Sequence, residues 1–176
     1  MLHQTLHELV IKTRGRGFYE FTAEVAALLR KSNLGLGLVT LHLQHTSASL
    51  LIQENADPEV RRDLERFFAR LVPEGDPLFR HTVEGDDDMP AHVRTALTTV
   101  NLSIPVSDGN LALGRWQGIY LWEHRNQPHS RRVNPHASRS KTYFGNRANP
   151  CGSNRHGAGR EPYEPVCFHR PGNFPD

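Results

Sequence analysis

Apolar positions recur along the first 133 residues with two different periods, and the elements follow from them. Residues 4–12 alternate and are rich in β-formers, which predicts a first strand, and Arg14-Gly15-Arg16-Gly17 turns the chain after it. Thr22 is placed to cap a helix running to Lys31 with Val25, Leu28 and Leu29 on one face, and Asn33-Leu34-Gly35 ends it. Val39, Leu41, Leu43 and His45 share one face of the next strand, so the period of two aims His45 at the core and leaves His42 on the opposite face. Residues 47–53 extend again, with Ala48, Leu50 and Ile52 at alternate positions. Asp57-Pro58 opens a second helix, a capping carboxylate followed by proline at the first helical position, and Val60, Leu64, Phe67, Phe68 and Leu71 form its apolar stripe. A long polar loop covers 73–88; loops of this length in small domains tend to carry function. Asp88 is read as the cap of a third helix with Pro90 in its first turn and Val93, Ala96, Leu97 and Val100 inward. Strands follow at 101–107, 111–113 and 117–124, with turns at Asp108-Gly109-Asn110 and Gly114. The order predicts an α+β fold built on a mostly antiparallel sheet packed with helices.

After Val133 the pattern stops. From Asn134 to Asp176 there is no Leu, Ile or Met, Val166 is the one aliphatic β-branched residue, and six of the twelve prolines and both cysteines fall there. Such a segment buries too little apolar area to offset its conformational entropy, so the expectation is a domain over 1–133 and a disordered tail over 134–176. Cys151, His156, Cys167 and His169 in that tail do not match the spacing of two close ligand pairs that structural zinc sites use.

Charge excludes one class of function. Residues 1–133 hold 15 Lys and Arg against 16 Asp and Glu, which is not the basic surface that phosphate neutralisation along DNA or RNA requires. The 176 residues also contain no apolar run of membrane-spanning length and no secretory leader pattern at the start, so a cytoplasmic protein without a membrane partner is expected.

Candidate chemistry centres on His45, His81 and His92. His81 lies in the polar loop and His92 in the first turn of a helix, whose positive end disfavours imidazolium and so favours the form that binds metal. Three such rings meeting at one point would leave a fourth position open, as in catalytic zinc sites, whereas His45 alone reads as a hydrogen-bonded core histidine and His81 alone as a solvated loop residue. Glu123 shares a strand face with Ile119 and Leu121 and would be an inward carboxylate in need of a partner, with His124 pointing the other way. Arg61, one turn into a helix, could hold a phosphate beside the helix-terminal amides, or serve in an ordinary surface pair. No P-loop, GxGxxG or Gly-x-Ser-x-Gly pattern is present.

His45-Thr46-Ser47-Ala48-Ser49 with Gln53-Glu54-Asn55-Ala56-Asp57-Pro58-Glu59-Val60-Arg61-Arg62-Asp63 closely resembles the YjbQ-like signature HTSA…NEN-x-DP-x-V-x-x-D. His81, residues 84–92 and Gly114-Arg115-Trp116-Gln117-Gly118-Ile119-Tyr120-Leu121-Trp122-Glu123 extend the likeness over residues 1–133. The resemblance implies a homotrimer with a divalent metal, zinc or magnesium, at His45, His81 and His92. It implies catalytic roles for His45 and Glu123, and contacts to a phosphorylated small molecule from Ser47, Asn55, Arg61 and Gln117. It further implies weak thiamine-phosphate synthase activity, which joins a pyrimidine methyl diphosphate to a thiazole phosphate; the alternative reading is a non-catalytic metal- or phosphate-binding trimer. Two departures stand out. Arg115 replaces the family's usual threonine, and the final apolar strand of the family gives way at Asn134-Pro135-His136 to the polar tail, as a shifted reading frame or a replaced terminus would produce.

Overall fold

The computed structural model describes residues 2–140, and these fold into two antiparallel sheets and three helices. The strands are β1 (Leu2–Leu6), β2 (Leu9–Lys12), β3 (Gly17–Glu20), β4 (Gly37–Leu43), β5 (Ala48–Glu54), β6 (Asn101–Ser107), β7 (Asn110–Leu111), β8 (Gln117–Glu123) and β9 (Ser130–Ser140); the helices are α1 (Thr22–Ser32), α2 (Pro58–Leu71) and α3 (Asp88–Leu97). The larger sheet has the order β1-β9-β4-β6-β7, with β2 also paired to β9, and the smaller one has the order β3-β8-β5. The α+β architecture expected from the sequence is the one observed.

The core lies between the sheets. Val39, Leu41, Leu43, Ile104, Val106 and Val133 of the larger sheet meet Ala48, Leu50, Ile119 and Leu121 of the smaller, and Phe21, Val25 and Leu29 at α1 close one end. The Leu50 amide donates to the Thr99 carbonyl at 2.8 Å, which ties the smaller sheet to the entrance of β6.

β9 corrects the expected domain end. The strand runs through the compositional break at Val133/Asn134 and continues to Ser140, pairing with β1 and β2 on one side and β4 on the other. Large aliphatic side chains are not needed there, because α1 covers it. Pro135 and Ala137 lie beside Val25, Leu28 and Leu29 around a cavity of about 10 Å³. Pro135 is tolerated in a central strand for a geometric reason. Its carbonyl accepts from the His7 amide at 2.9 Å, so its missing N–H also faces that side, and the edge strand is interrupted there into β1 and β2. The apolar end strand that seemed to be replaced is therefore present in another composition. The remainder of the expected tail, 141–176, with Cys151, His156, Cys167 and His169, lies outside the described residues.

Local expectations divide according to whether a backbone rule or a face assignment carried them. The Asp57 carboxylate accepts from the Glu59 amide at 2.8 Å and caps α2 ahead of Pro58. The first strand is two strands, and Thr22 is inside α1 rather than its cap, its hydroxyl accepting from the Ile119 amide at 2.8 Å. In α3 the buried face is Asp88, Pro90, Ala91 and Arg94, while Leu97 is 57% exposed; the helix is rotated from the face the sequence suggested. α2 packs on the outer face of β8, where Phe68 meets Trp122 edge-on at 4.8 Å, and Phe67 and Leu71 stay exposed. No helix among the described residues is long and apolar enough to cross a membrane.

Candidate metal centre

His92 and Asp88 are four residues apart on α3, the spacing that puts two side chains on one helical face, one turn apart. The loop before the helix turns back at Gly85, whose φ of +105° suits glycine, and delivers His81 to the same face. One nitrogen from each imidazole and one Asp88 oxygen all lie within 4.8 Å of one another. Asp88 Oδ2 is 3.0 Å from His81 Nε2 and 3.4 Å from His92 Nε2.

Asp88 and His92 are held from behind. The Asp88 side chain is almost wholly buried, and its Oδ1 accepts from the Arg125 guanidinium. Arg125, from the connection between β8 and β9, also donates to Asp87 at 3.2 Å and to the Glu84 carbonyl at 2.7 Å, pinning the loop to α3. Burial alone would raise the Asp87 pKa; the Asn126 amide and the Arg125 guanidinium outweigh it and hold the carboxyl below its ordinary range. His92 Nδ1 is 2.9 Å from the Thr46 carbonyl. A carbonyl only accepts, so Nδ1 carries a hydrogen, and the lone pair of the neutral ring is the one on Nε2, on the side of Asp88.

The donors suit a divalent ion. Asp88 Oδ2 is buried, yet no donor reaches it with hydrogen-bonding geometry among the described residues. Arg125 occupies only Oδ1, so Oδ2 is a buried polar atom still without a partner, a costly arrangement that a cation between it and the two imidazoles would relieve. Ligand separations of 3.0 and 3.4 Å fit neighbours in one coordination shell with bonds of about 2.1 Å. Two imidazoles, one carboxylate and open positions form a donor set of catalytic metal sites.

Of the three histidines expected to converge, His81 and His92 do so and His45 stands apart from the cluster. β4 ends at Leu43, so the alternation that aimed His45 inward no longer applies two residues later, and His45 lies at the surface with its ring only partly covered. It lines a cleft of about 520 Å³ with His42, Leu43, Gln44, Thr46, Thr95 and Val100, so His42 and His45, expected on opposite faces, border one space. Asp88, read as a cap, makes no such bond and takes the third place in the cluster. Its i,i+4 spacing from His92 is the signal by which the sequence could have shown it.

Glu123 is fully buried and fully used. It accepts from Arg131 Nε at 2.7 Å and Nη2 at 2.5 Å, from the Thr13 hydroxyl at 3.0 Å and from the Arg125 amide at 3.1 Å. This is the partner an inward carboxylate needed. Arg131 in turn donates to the Ser47 hydroxyl at 3.2 Å. His124, expected to face away from Glu123, is buried as well, with Nε2 2.9 Å from the Ser49 hydroxyl.

Asn55, Arg61 and Gln117 lie elsewhere. In the β5–β8 ladder Ala48 is opposite Glu123 and Glu54 opposite Gln117, six steps or about 20 Å further along the strand. Gln117 accepts from the Gly114 amide at 2.8 Å and lines a cavity of about 360 Å³ with Ile52, Glu54 and Trp116. Arg61 donates to the Glu54 carbonyl at 2.8 Å and to Tyr120 Oη at 3.3 Å, and its guanidinium lies 5.3 Å over the Tyr120 ring. It anchors α2 to the smaller sheet. Within one chain these three residues are a strand's length from Ser47 and Glu123.

A family model described as UPF0047 protein YjbQ-like matches residues 7–140. The UPF0047 protein sll1880 of Synechocystis is 52% identical over 136 residues, covering 77% of this chain and 91% of that protein. The UPF0047 protein YjbQ of Escherichia coli O157:H7 is 44% identical over 126 residues, covering 71% and 91%. Among solved structures, the conserved hypothetical protein TT1486 from Thermus thermophilus aligns with TM-score 0.65 at 38% identity, over 72% of this chain and 95% of that one.

Proposed function

We propose, for a chain that belongs to the UPF0047 YjbQ-like family, that His81, Asp88 and His92 hold a divalent metal and that a phosphorylated small molecule reacts beside it. The observation that carries the reading is the buried Asp88 oxygen without a hydrogen-bond donor, aimed between two imidazole nitrogens. Imidazole ligands favour zinc over magnesium, which takes oxygen donors almost alone. The reaction assigned to the site is thiamine phosphate formation, in which a pyrimidine methyl diphosphate joins a thiazole phosphate and diphosphate leaves. A bound divalent ion would neutralise charge on that leaving group.

The chain's own residues supply position. Arg125 fixes the Asp88 carboxylate, the Thr46 carbonyl fixes the His92 tautomer, and the cleft beside His45 is the space in which a substrate would lie. Assembly as a homotrimer belongs to the same proposal: it would allow the Asn55 and Gln117 end of one subunit to approach the His45 end of another. Thiamine phosphate formation by the purified chain, with zinc supplied, tests the reading against His92→Ala. Loss of product in the variant supports it, and equal product from both proteins would refute it. Light scattering of the same preparation measures the assembly.

A further inference from the structure

The turn at residues 44–47 touches two histidines, and it treats them oppositely. The Thr46 carbonyl receives a hydrogen from His92 Nδ1. One residue later, the Ser47 amide lies 3.2 Å from His45 Nδ1 and donates to it. A backbone N–H can only donate, so this nitrogen of His45 must offer a lone pair. The Ser47 hydroxyl lies 3.1 Å from the same nitrogen. Since that hydroxyl already accepts from Arg131 at 3.2 Å, its own hydrogen is available to turn toward His45. Arg131 cannot swing away, being held in a buried, two-pronged contact with Glu123.

We propose that the two donors of Ser47 set His45 as a neutral Nε2–H hydrogen-bond donor to a phosphate oxygen of the substrate, and that His45 is not one of the metal's ligands. In the neutral ring the one remaining hydrogen has to sit on Nε2, which then has no lone pair to give a metal. Protonating Nδ1 would place its hydrogen against two donors. Partial burial and then the Arg131 charge also hold His45 below its ordinary pKa, which keeps the ring neutral at neutral pH. A neutral imidazole donor can polarise a substrate oxygen without a proton changing hands. His45 lines the 520 Å³ cleft, the space in which a substrate oxygen would meet it. The phosphate half of this inference rests on the metal reading above; the tautomer half does not.

Nitrogen NMR of the full chain with ring-labelled histidine, assigned with His45→Gln, tests both halves. In the metal-free protein, His45 Nδ1 is expected to resonate as a bare, pyridine-like nitrogen and Nε2 as a hydrogen-bearing one. A hydrogen on Nδ1 would overturn the proposal. Zinc(II) added alone should move His81 and His92 Nε2 and leave the His45 pattern intact; a His45 nitrogen shifting as a ligand would overturn it as well. If zinc moves none of the three, the metal reading fails, and the tautomer is decided on the metal-free spectrum. Inorganic pyrophosphate added to the zinc form should then move His45 Nε2. His45→Ala should weaken pyrophosphate binding about tenfold, whereas His45→Gln, whose amide nitrogen can sit near the Nε2 position, should remain within about threefold. Equal weakening in both variants would reject a donor role.

Discussion

Acidification from pH 7 to pH 5 is expected to cost the fold about 2 kcal/mol through His124 alone. Its ring is fully buried between Trp122, 4.7 Å away, and the Ser49 hydroxyl, and its Nδ1 has no partner among the described residues. Burial first, then the Arg94, Arg16 and Arg131 charges, lower its pKa from 6.5 to about 3. The sign follows from proton counting. Between those two values the unfolded chain takes up a proton that the folded chain refuses, so stability falls as pH drops below 6.5 and levels off near 3. Each unit inside that window is worth about 1.4 kcal/mol, and at pH 7 almost none of the cost is felt. Other groups titrate over the same range, so the measurement is a difference. Urea unfolding at pH 7 and pH 5 would be compared between the natural chain and His124→Gln, which keeps a polar group toward Ser49 but cannot titrate. The variant should lose about 2 kcal/mol less than the natural chain over that interval. Parallel losses would mean that His124 protonates in the folded state, and the burial argument would be wrong.

Three further outcomes follow from the site and the sheet. Asp88→Ala should lower zinc affinity at least about tenfold by titration calorimetry, and undiminished affinity would place the metal elsewhere. Glu123→Gln leaves the buried Arg131 guanidinium without its counter-charge and should cost about 3–5 kcal/mol in urea unfolding; a loss below about 1 kcal/mol would show that the pair is compensated from another direction. Ending the chain after Val133 removes all the partners of β1 and five of the six β4–β9 pairs, and should abolish cooperative unfolding seen by circular dichroism. A sharp transition in that fragment would restore Val133 as the end of the domain.

Backbone chemistry was legible in the sequence, and the environment of side chains was less so. Asp57-Pro58 carries its own start signal, and α2 begins there. His45 was misplaced because period two holds only while the strand lasts, and β4 stops at Leu43. Asp88 satisfied a capping rule so well that its spacing to His92 went unused. Glu123 was rightly read as an acid needing a partner, but Arg131 becomes its neighbour only when β9 folds back beside β2 and β4. Composition hid the rest of β9, since a strand already flanked on both sides and covered by α1 can be built from Asn134, Pro135, His136 and Ala137.

That strand also governs the order in which the molecule can be completed. β1 and β2, at the start of the chain, pair with β9 and with no other described strand, Leu2 standing opposite Ser140. Closing a loop that spans the whole domain is the slow, entropically costly kind of contact, gained only after the rest has collapsed. During synthesis the opening residues have no ladder to join until β9, the last of the described strands, has been made. Until then the open flank of β4 is the surface on which a neighbouring chain could lay a strand by mistake.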